Sequence, residues 1–245
     1  MSHSTLNLDL VRIVLVRTFH PGNIGSAARS MKTMGLRDLC LVAPKDFPCD
    51  QANKMAAGAE DMLESVRVVD TLPEALSDCT TIIASTARPR GYDLPELNPE
   101  QAADMLVTGA QKKPVALIFG PERMGLHNDD IRLAKYRVTI PANPNYSSLN
   151  MAAAVQTLSY EIFKAANTQQ PSTKATRELP SSADIERFYV HLENVLKEIR
   201  FLKPHQGETL LRLRHLVSRA EPDVLEMNIL RGILASIEKS LPNKE

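Results

Sequence analysis

The chain has 245 residues, 43% of them hydrophobic, which allows one large domain or a domain with a smaller companion. Lys+Arg and Asp+Glu both number 29, so the formal charge is zero and gives no support for nucleic-acid binding through bulk charge. Any such site must be a local basic patch. Aromatic residues make up only 4% and Trp is absent, which argues against an extended stacking platform for single strands.

The cysteines and the N-terminus favour a cytoplasmic protein. Cys40, Cys49 and Cys79 form no C-x-x-C pair, a usage typical of reduced thiols rather than of a zinc site or disulfide framework. The opening stretch MSHSTLNLDL has no basic segment followed by a long apolar run, and no run approaches the length of a membrane span. We therefore expect no membrane partner.

Short β-branched runs alternate with helical patterns through the first two thirds of the chain. The predicted strands are Val11–Val16, Asp38–Pro44, Val66–Asp70, Thr81–Thr86, Val115–Gly120 and Tyr136–Pro141. The predicted helices are Ile24–Met34, Gln51–Leu63, Leu72–Ser77, Pro99–Gly109, Asn128–Ala134 and Ser148–Ala166. This alternation, with strands apolar on both faces, predicts an α/β fold with a mostly parallel sheet flanked by helices.

The composition changes after this region. Residues 167–184 are polar and rich in Ser, Thr and Pro, which is typical of a linker. Beyond them the strand patterns end and three amphipathic helices are predicted, the third beginning at Pro222 as a first-turn proline. The predicted organisation is therefore a domain over 1–166, a linker over 167–184 and a small all-α extension over 185–245.

In an open parallel sheet, ligands bind beyond the carboxyl ends of the strands, so the stretches that follow the strands are the candidate binding segments. The first is H-P-G-N-I-G-S-A-A-R-S-M, in which Gly22 and Gly25 permit positive φ and close backbone approach. Asn23 is suited to capping the helix or its own turn, and Arg29 lies away from the apolar stripe. The spacing G-x-x-G is not a dinucleotide fingerprint. Taken alone, the stretch favours an ordinary strand-to-helix turn with a solvated arginine over a ligand site.

Three further stretches follow strands. In S-T-A-R-P-R-G-Y-D, a proline holds Arg88 and Arg90 forward, where they are able to bind phosphates or to form an ordinary basic loop. In F-G-P-E-R-M-G-L, a Gly-Pro turn presents Glu122. The stretch over 140–162 contains two prolines and three asparagines before a helix that opens with Ser147 and Ser148. No metal-ligand spacing is present, and no metal site is predicted.

Together these stretches resemble a known family. N-I-G-S-A-A-R (Asn23–Arg29), G-P-E-R-M-G-L (Gly120–Leu126) and I-P-A-N-P-N-Y-S-S-L-N-M-A-A-A-V (Ile140–Val155) are similar to the three motifs of the SPOUT superfamily of RNA methyltransferases, in the branch that methylates ribose 2′-OH groups. The resemblance covers most of residues 10–165. The A-R-P-R stretch and residues 219–234 narrow it to bacterial tRNA enzymes acting on cytidine or uridine.

The resemblance implies properties that the residue pattern does not show. The C-terminal part of the sheet would be threaded into a deep trefoil knot, and the cofactor would be S-adenosylmethionine. The enzyme would be an obligate homodimer with each site built from both subunits. The partner would be tRNA, with no DNA, and the target would be the pyrimidine at nucleotide 32 of the anticodon loop.

The resemblance also assigns roles to residues. Arg29 would act across the dimer interface, mainly by electrostatics, because a guanidinium keeps its proton at neutral pH and is poorly suited to act as a base. The polar family positions near the reaction would be Asn23, Glu122, Ser148 and Asn150, with Ser148 contacting either the 2′-oxygen or the cofactor. The cofactor would be bound by Ser85, Thr86, Ala87, Gly120, Ile140, Ser147, Ser148 and Leu149. Arg88 and Arg90 would hold the tRNA backbone.

Two alternatives stay open at this point. The first is a 2′-O-methyltransferase that acts on ribosomal RNA or on another tRNA nucleotide, because the motifs define the cofactor and the 2′-OH chemistry better than the target. The second is a non-catalytic RNA-binding dimer. The intact polar motif residues argue against that second reading.

Overall fold

The computed structural model describes residues 8–87, 94–168, 178–202 and 207–241. The chain divides into two compact units, Met1–Ser172 and Thr173–Glu245. Among the described residues, no helix combines the length and the apolar character needed to cross a membrane.

The described residues of the first unit form a seven-stranded sheet. The strands are β1 (Val11–Val16), β2 (Asp38–Val42), β3 (Arg67–Val69), β4 (Thr81–Ser85), β5 (Glu96–Leu97), β6 (Val115–Phe119) and β7 (Tyr136–Val138). Their order is β3-β2-β1-β6-β4-β7-β5, and every neighbouring pair is parallel. The predicted α/β class and mostly parallel sheet are confirmed. Strand β5 was missed, because two residues are too few to show an alternating pattern.

Seven helices accompany the described strands. They are α1 (Pro21–Thr33), α2 (Asp50–Ala56), α3 (Glu60–Glu64), α4 (Leu72–Leu76), α5 (Pro99–Gly109), α6 (Asn128–Ile131) and α7 (Met151–Thr168). The single helix predicted over Gln51–Leu63 is wrong. Ala57 and Gly58 interrupt it with φ values of 40° and 92°, which lie in the left-handed region that a continuing helix cannot use.

The sheet is covered on both faces, which explains why its strands are apolar on both sides. In β1, Ile13 and Leu15 belong to a core that includes residues of α1, α5 and α7. Val14 and Val16 alternate with them and belong to the opposite core, with residues of α4 and α6. All four side chains are fully buried. Consecutive strand residues point to opposite faces, so a strand covered on both sides has no polar face to display.

The order of the strands determines where a ligand site forms. The chain moves outward from β1 through β2 to β3 and then continues on the other side of β1. Strand β6 lies between β1 and β4, with Leu15 opposite Phe119 and Ser85 opposite Phe119 in the parallel register. Because the strands are parallel, β1, β6, β4 and β7 end at the same edge of the sheet.

The second unit contains α8 (Ser182–Glu198), α9 (Gly207–Ala220) and α10 (Val224–Ser240). Its core contains Phe188, Tyr189, Val195, Met227 and Leu234, contributed by α8 and α10. The prediction that the last helix begins at Pro222 is wrong. Asp223 is its N-cap and accepts a hydrogen bond from the amide of Glu226, while the Glu226 carboxylate accepts one from the amide of Asp223.

Candidate functional site

A cleft of about 630 Å³ opens at the edge of the sheet where the central strands end. Its walls come from the residues that follow β4, β6 and β7 and from the first turns of α1 and α7. This is the edge at which open parallel sheets bind ligands. The volume lies within the range of roughly 300–1,000 Å³ that is typical of small-molecule sites.

The start of α1 corrects two predictions about the first stretch. The helix begins at Pro21, so Asn23 lies inside its first turn and does not cap it. Gly25 has an ordinary helical conformation, and its lack of a side chain serves packing rather than ligand approach. A Cβ at Gly25 would lie 2.0 Å from the carbonyl oxygen of Ala52 in α2. A Cβ at Gly22 would meet only the side chains of α2, at 3.4 Å.

Glu122 is the centre of a hydrogen-bond network at one wall of the cleft. Its Oε1 accepts from Asn23 Nδ2 at 2.6 Å and from the amide of His20 at 3.2 Å, and its Oε2 accepts from the amide of Phe19 at 2.8 Å. Burial acts to raise the pKa of Glu122, but these hydrogen bonds outweigh it, and the pKa is lowered from its ordinary value of 4.5. The carboxylate is therefore ionised at neutral pH and committed to organising the site.

Asn150 extends this network to the last helix of the unit. Its Nδ2 donates to Asn23 Oδ1 at 3.0 Å, and its Oδ1 accepts from the amides of Ala152 at 2.8 Å and Ala153 at 3.3 Å. Asn150 is thus the side chain that satisfies the free amides at the start of α7. The predicted opening of this helix by Ser147 and Ser148 is wrong, since the first helical residue is Met151.

The turn after β6 forms a second wall of the cleft. A Cβ at Gly120 would lie 2.1 Å from the amide nitrogen of Leu126, so only glycine allows the chain to fold back this tightly. The amide of Gly125 donates to the carbonyl of Pro121 at 2.9 Å and closes the turn. Arg123, at the tip, adopts a φ of 70°.

A half-buried ion pair, which the sequence did not indicate, supports the loop after β1. The guanidinium of Arg17 pairs with the carboxylate of Asp130, which is 6% exposed. Asp130 Oδ2 also accepts from the amide of His127 at 2.8 Å. The pair ties the residues that lead to Phe19 and His20, whose amides bind Glu122, to the start of α6. Charges 113 positions apart in sequence offer no local pattern from which to predict the pair.

Most of the residues singled out from the sequence meet in this cleft. Those that line it are Asn23, Ser85, Thr86, Ala87, Gly120, Glu122, Ile140, Ser147, Ser148, Leu149 and Asn150. Their individual roles stay predictions. The cleft lining also includes His20, Arg123 and Tyr146, which the sequence did not single out.

Of the predicted arginines, only Arg29 lies among the described residues. Arg29 does not line the cleft of its own chain; it is exposed on α1, and none of the described side chains hydrogen-bonds to its guanidinium or pairs with it. Arg88 and Arg90 lie outside the described residues. The lining described here therefore contains a single carboxylate, Glu122, and a single guanidinium, Arg123.

The chemistry of the lining suits a ligand with both apolar and polar parts. The side chains of Phe119 and Leu126 are buried, and Ile140 is partly buried beside them. Gly120 and the short side chains of Ser85 and Ser148 leave main-chain groups accessible to a ligand. Because the carboxylate of Glu122 is already held by three donors, it organises the wall rather than acting as a free base.

Models of known protein families match residues in each of the two units. The family model described as "SpoU rRNA Methylase family" matches residues 10–160. A second model, described as "tRNA methyltransferase TrmJ, C-terminal domain", matches residues 183–245.

Individual relatives match over nearly the whole chain. A protein of Cronobacter sakazakii named tRNA (cytidine/uridine-2′-O-)-methyltransferase TrmJ is 47% identical over 244 residues, which cover 97% of this chain and 99% of the relative. The crystal structure of TrmJ from Z. mobilis ZM4 superimposes with a TM-score of 0.81 at 37% identity, covering 93% of this chain and 98% of that chain. A probable methylase family protein from Haemophilus influenzae Rd KW20 superimposes with a TM-score of 0.64 at 40% identity, covering 95% and 97%.

Proposed function

The chain belongs to the SpoU methylase family, in its TrmJ branch, and on that premise we propose that it transfers a methyl group from S-adenosylmethionine to a ribose 2′-OH of tRNA. The proposed target is the pyrimidine at nucleotide 32 of the anticodon loop. The observation that carries the proposal is the cleft itself, in which residues of the three sequence motifs meet at the carboxyl edge of the sheet.

The lining fits S-adenosylmethionine by its chemistry. The cofactor would supply an electrophilic methyl group on a sulfonium. Buried apolar surface from Phe119 and Leu126 suits a nucleoside ring. The residues proposed to hold the cofactor, mainly through backbone amides and carbonyls, are Ser85, Thr86, Ala87, Gly120, Ile140, Ser147, Ser148 and Leu149. Glycine at 120 keeps a side chain out of this part of the wall.

Arg29 is the proposed catalytic residue. The 2′-hydroxyl is a weak nucleophile, and methyl transfer requires its oxygen to be oriented and its developing negative charge to be stabilised. A guanidinium supplies fixed positive charge and donors but does not accept a proton. A phosphate of the substrate would take the proton. Since Arg29 does not line the cleft of its own chain, we assign it to the cleft of a partner subunit in a homodimer.

The other polar motif residues have organising roles in this proposal. Glu122 and Asn150 hold Asn23 from two sides and so set the start of α1, the helix that carries Arg29. Ser148 is exposed in the cleft and is assigned to contact either the 2′-oxygen or the cofactor. Loss of Ser148 would lower turnover in the first case and cofactor affinity in the second.

The proposal includes three properties that follow from the family. The segment after β7 is threaded into a trefoil knot, the enzyme is a homodimer, and a tRNA substrate places it in the cytoplasm. Arg88 and Arg90 hold the tRNA backbone, and the helices α8–α10 add tRNA contacts.

The test is incubation of the purified protein with methyl-labelled S-adenosylmethionine and unmodified tRNA, followed by mapping of the labelled nucleotide. We expect label on the ribose of nucleotide 32. Label on another tRNA nucleotide, or on ribosomal RNA alone, would refute nucleotide 32 as the target. Label on a nucleobase would refute 2′-O chemistry. Binding of tRNA without transfer would favour a non-catalytic RNA-binding dimer.

A further inference from the structure

Arg123 is held at the mouth of the cleft by a turn that permits it little freedom. The turn is closed at its base by the hydrogen bond from Gly125 to Pro121, and the amide of Met124 donates to the carbonyl of Glu122 at 2.9 Å. Within this turn Arg123 adopts a φ of 70°, a left-handed conformation that costs a non-glycine residue free energy. Such a conformation persists only where the surrounding structure imposes it, so the turn sets the point from which the Arg123 side chain leaves the wall.

The positive charge of Arg123 is not neutralised by any of the described residues. The residue is exposed, and no described side chain forms an ion pair or hydrogen bond with its guanidinium. The neighbouring carboxylate of Glu122 is occupied by Asn23, Phe19 and His20, so it does not neutralise Arg123. The lining formed by the described residues thus carries one exposed guanidinium and no free carboxylate.

We propose that Arg123 binds a phosphate of the RNA beside the target ribose and so positions that nucleotide over the cleft. The inference rests on the proposed function, since it assigns a residue to the RNA side of the same site. A guanidinium on an exposed turn is suited to bidentate contact with a phosphate. The methyl donor also carries an anion, its carboxylate. The position of Arg123 favours the RNA, because Arg123 is exposed at the mouth while Phe119 and Leu126 form the buried side of the cleft.

The experiment compares Arg123→Asn and Arg123→Lys with the unaltered protein. Asparagine tolerates a positive φ, so the first variant removes the charge without forcing the turn to change. Lysine keeps the charge but loses the bidentate geometry. Arg37→Asn is the matched control, because Arg37 is an exposed arginine that precedes β2, at the opposite edge of the sheet. The measurements are tRNA affinity at several salt concentrations, S-adenosylmethionine affinity by calorimetry, and turnover.

For Arg123→Asn we expect tRNA affinity to fall roughly three- to tenfold, with unchanged donor affinity. The slope of log affinity against log salt concentration should decrease in magnitude by about 0.7 to 1. Arg123→Lys should recover the salt slope but only part of the affinity, and Arg37→Asn should resemble the unaltered protein. Unchanged tRNA affinity and salt slope in Arg123→Asn would overturn the inference, and so would a loss confined to donor affinity. If the unaltered protein transfers no methyl group to tRNA, the proposed function fails instead.

Discussion

Asn23 Nδ2 donates to Glu122 Oε1 over 2.6 Å, a contact between the first turn of α1 and the turn after β6 that spans 99 positions of sequence. The amide oxygen of the same Asn23 accepts from Asn150, which caps α7. One side chain therefore connects three segments that carry the family motifs. The arrangement makes the cleft a single structural unit rather than three independent loops. Replacement of one of these three side chains should therefore also disturb the positions of the other two.

Replacement of Glu122 by glutamine should weaken this unit. The side chain of glutamine has one oxygen, whereas the two oxygens of Glu122 accept hydrogen bonds from Asn23, Phe19 and His20. The NH2 group of glutamine would replace the other oxygen and would face an N–H donor, so at least one of these hydrogen bonds would be lost. We expect a loss of about 1–2 kcal/mol in the free energy of unfolding, measured by urea denaturation, together with reduced turnover. Glu64→Gln is the control, because Glu64 is exposed at the end of α3. Equal stability of the two variants would contradict the structural role of Glu122.

The stabilising effect of Glu122 should depend on pH in a defined direction. Its pKa is lowered in the folded protein, so the folded state favours the ionised form more than the unfolded state does. The stabilisation is complete above the unfolded value of about 4.5 and is lost as pH falls through the lower folded value. The difference in unfolding free energy between the unaltered protein and Glu122→Gln should thus be constant from neutral pH to about 5 and shrink below it. A difference that grows on acidification would contradict the assignment.

The strands and the family were predictable because their signals are local. In β1, five apolar residues and one arginine in six consecutive positions predict a strand covered on both faces, and the sheet confirms it. The resemblance carried by the three motifs is confirmed by the family models and the relatives. The A-R-P-R stretch contributed to that resemblance, although Arg88 and Arg90 lie outside the described residues.

The interactions that build the site were not predictable, because they join residues distant in sequence. Gly25 was interpreted as a flexible residue near a ligand, whereas its role is set by the backbone of α2, and no local pattern indicates that contact. The local pattern predicts that the Asn23 side chain caps the helix or bonds its own turn, but its observed partners are Glu122 and Asn150. In both cases the residue type indicated an important position, but the sequence did not indicate which residues it contacts.

Gly25→Ala should destabilise the protein strongly. The new methyl group would lie 2.0 Å from the Ala52 carbonyl oxygen, so α1 and α2 would have to separate. We expect a loss of about 3 kcal/mol or more in the free energy of unfolding. Gly22→Ala is the matched control in the same helix, since its methyl group would make ordinary contacts with Gln51 and Met55. The control should be neutral or more stable by up to about 1 kcal/mol, and equal loss in both variants would refute the packing argument.

Arg88→Ala and Arg90→Ala should weaken tRNA binding without changing S-adenosylmethionine affinity. Each arginine that contacts a phosphate releases counterions on binding, so its loss should reduce the salt dependence of tRNA affinity by about one unit of slope. Filter binding across a salt series measures the effect, with Arg37→Ala as the control for loss of one exposed charge. An unaltered salt dependence would count against phosphate contact by these residues.

Arg29→Ala should abolish methyl transfer while leaving the fold and cofactor affinity intact. Arg29 is exposed on α1, and alanine is favourable in a helix, so the change in stability should stay within about 0.5 kcal/mol. The assignment of Arg29 to the partner's cleft is tested by mixing this variant with Gly120→Ala, in which the new Cβ would collide with the Leu126 amide and distort the cleft.

In randomly mixed dimers about half are heterodimers, and each would contain one complete site, in which an intact cleft meets an Arg29 from the other subunit. Two inactive variants should together recover about a quarter of the activity of the unaltered enzyme. Gly120→Ala must first be shown to remain folded and dimeric by circular dichroism and size measurement. If the mixture contains heterodimers and stays inactive, Arg29 acts within its own chain. An active monomer at the working concentration would exclude a site shared between subunits altogether.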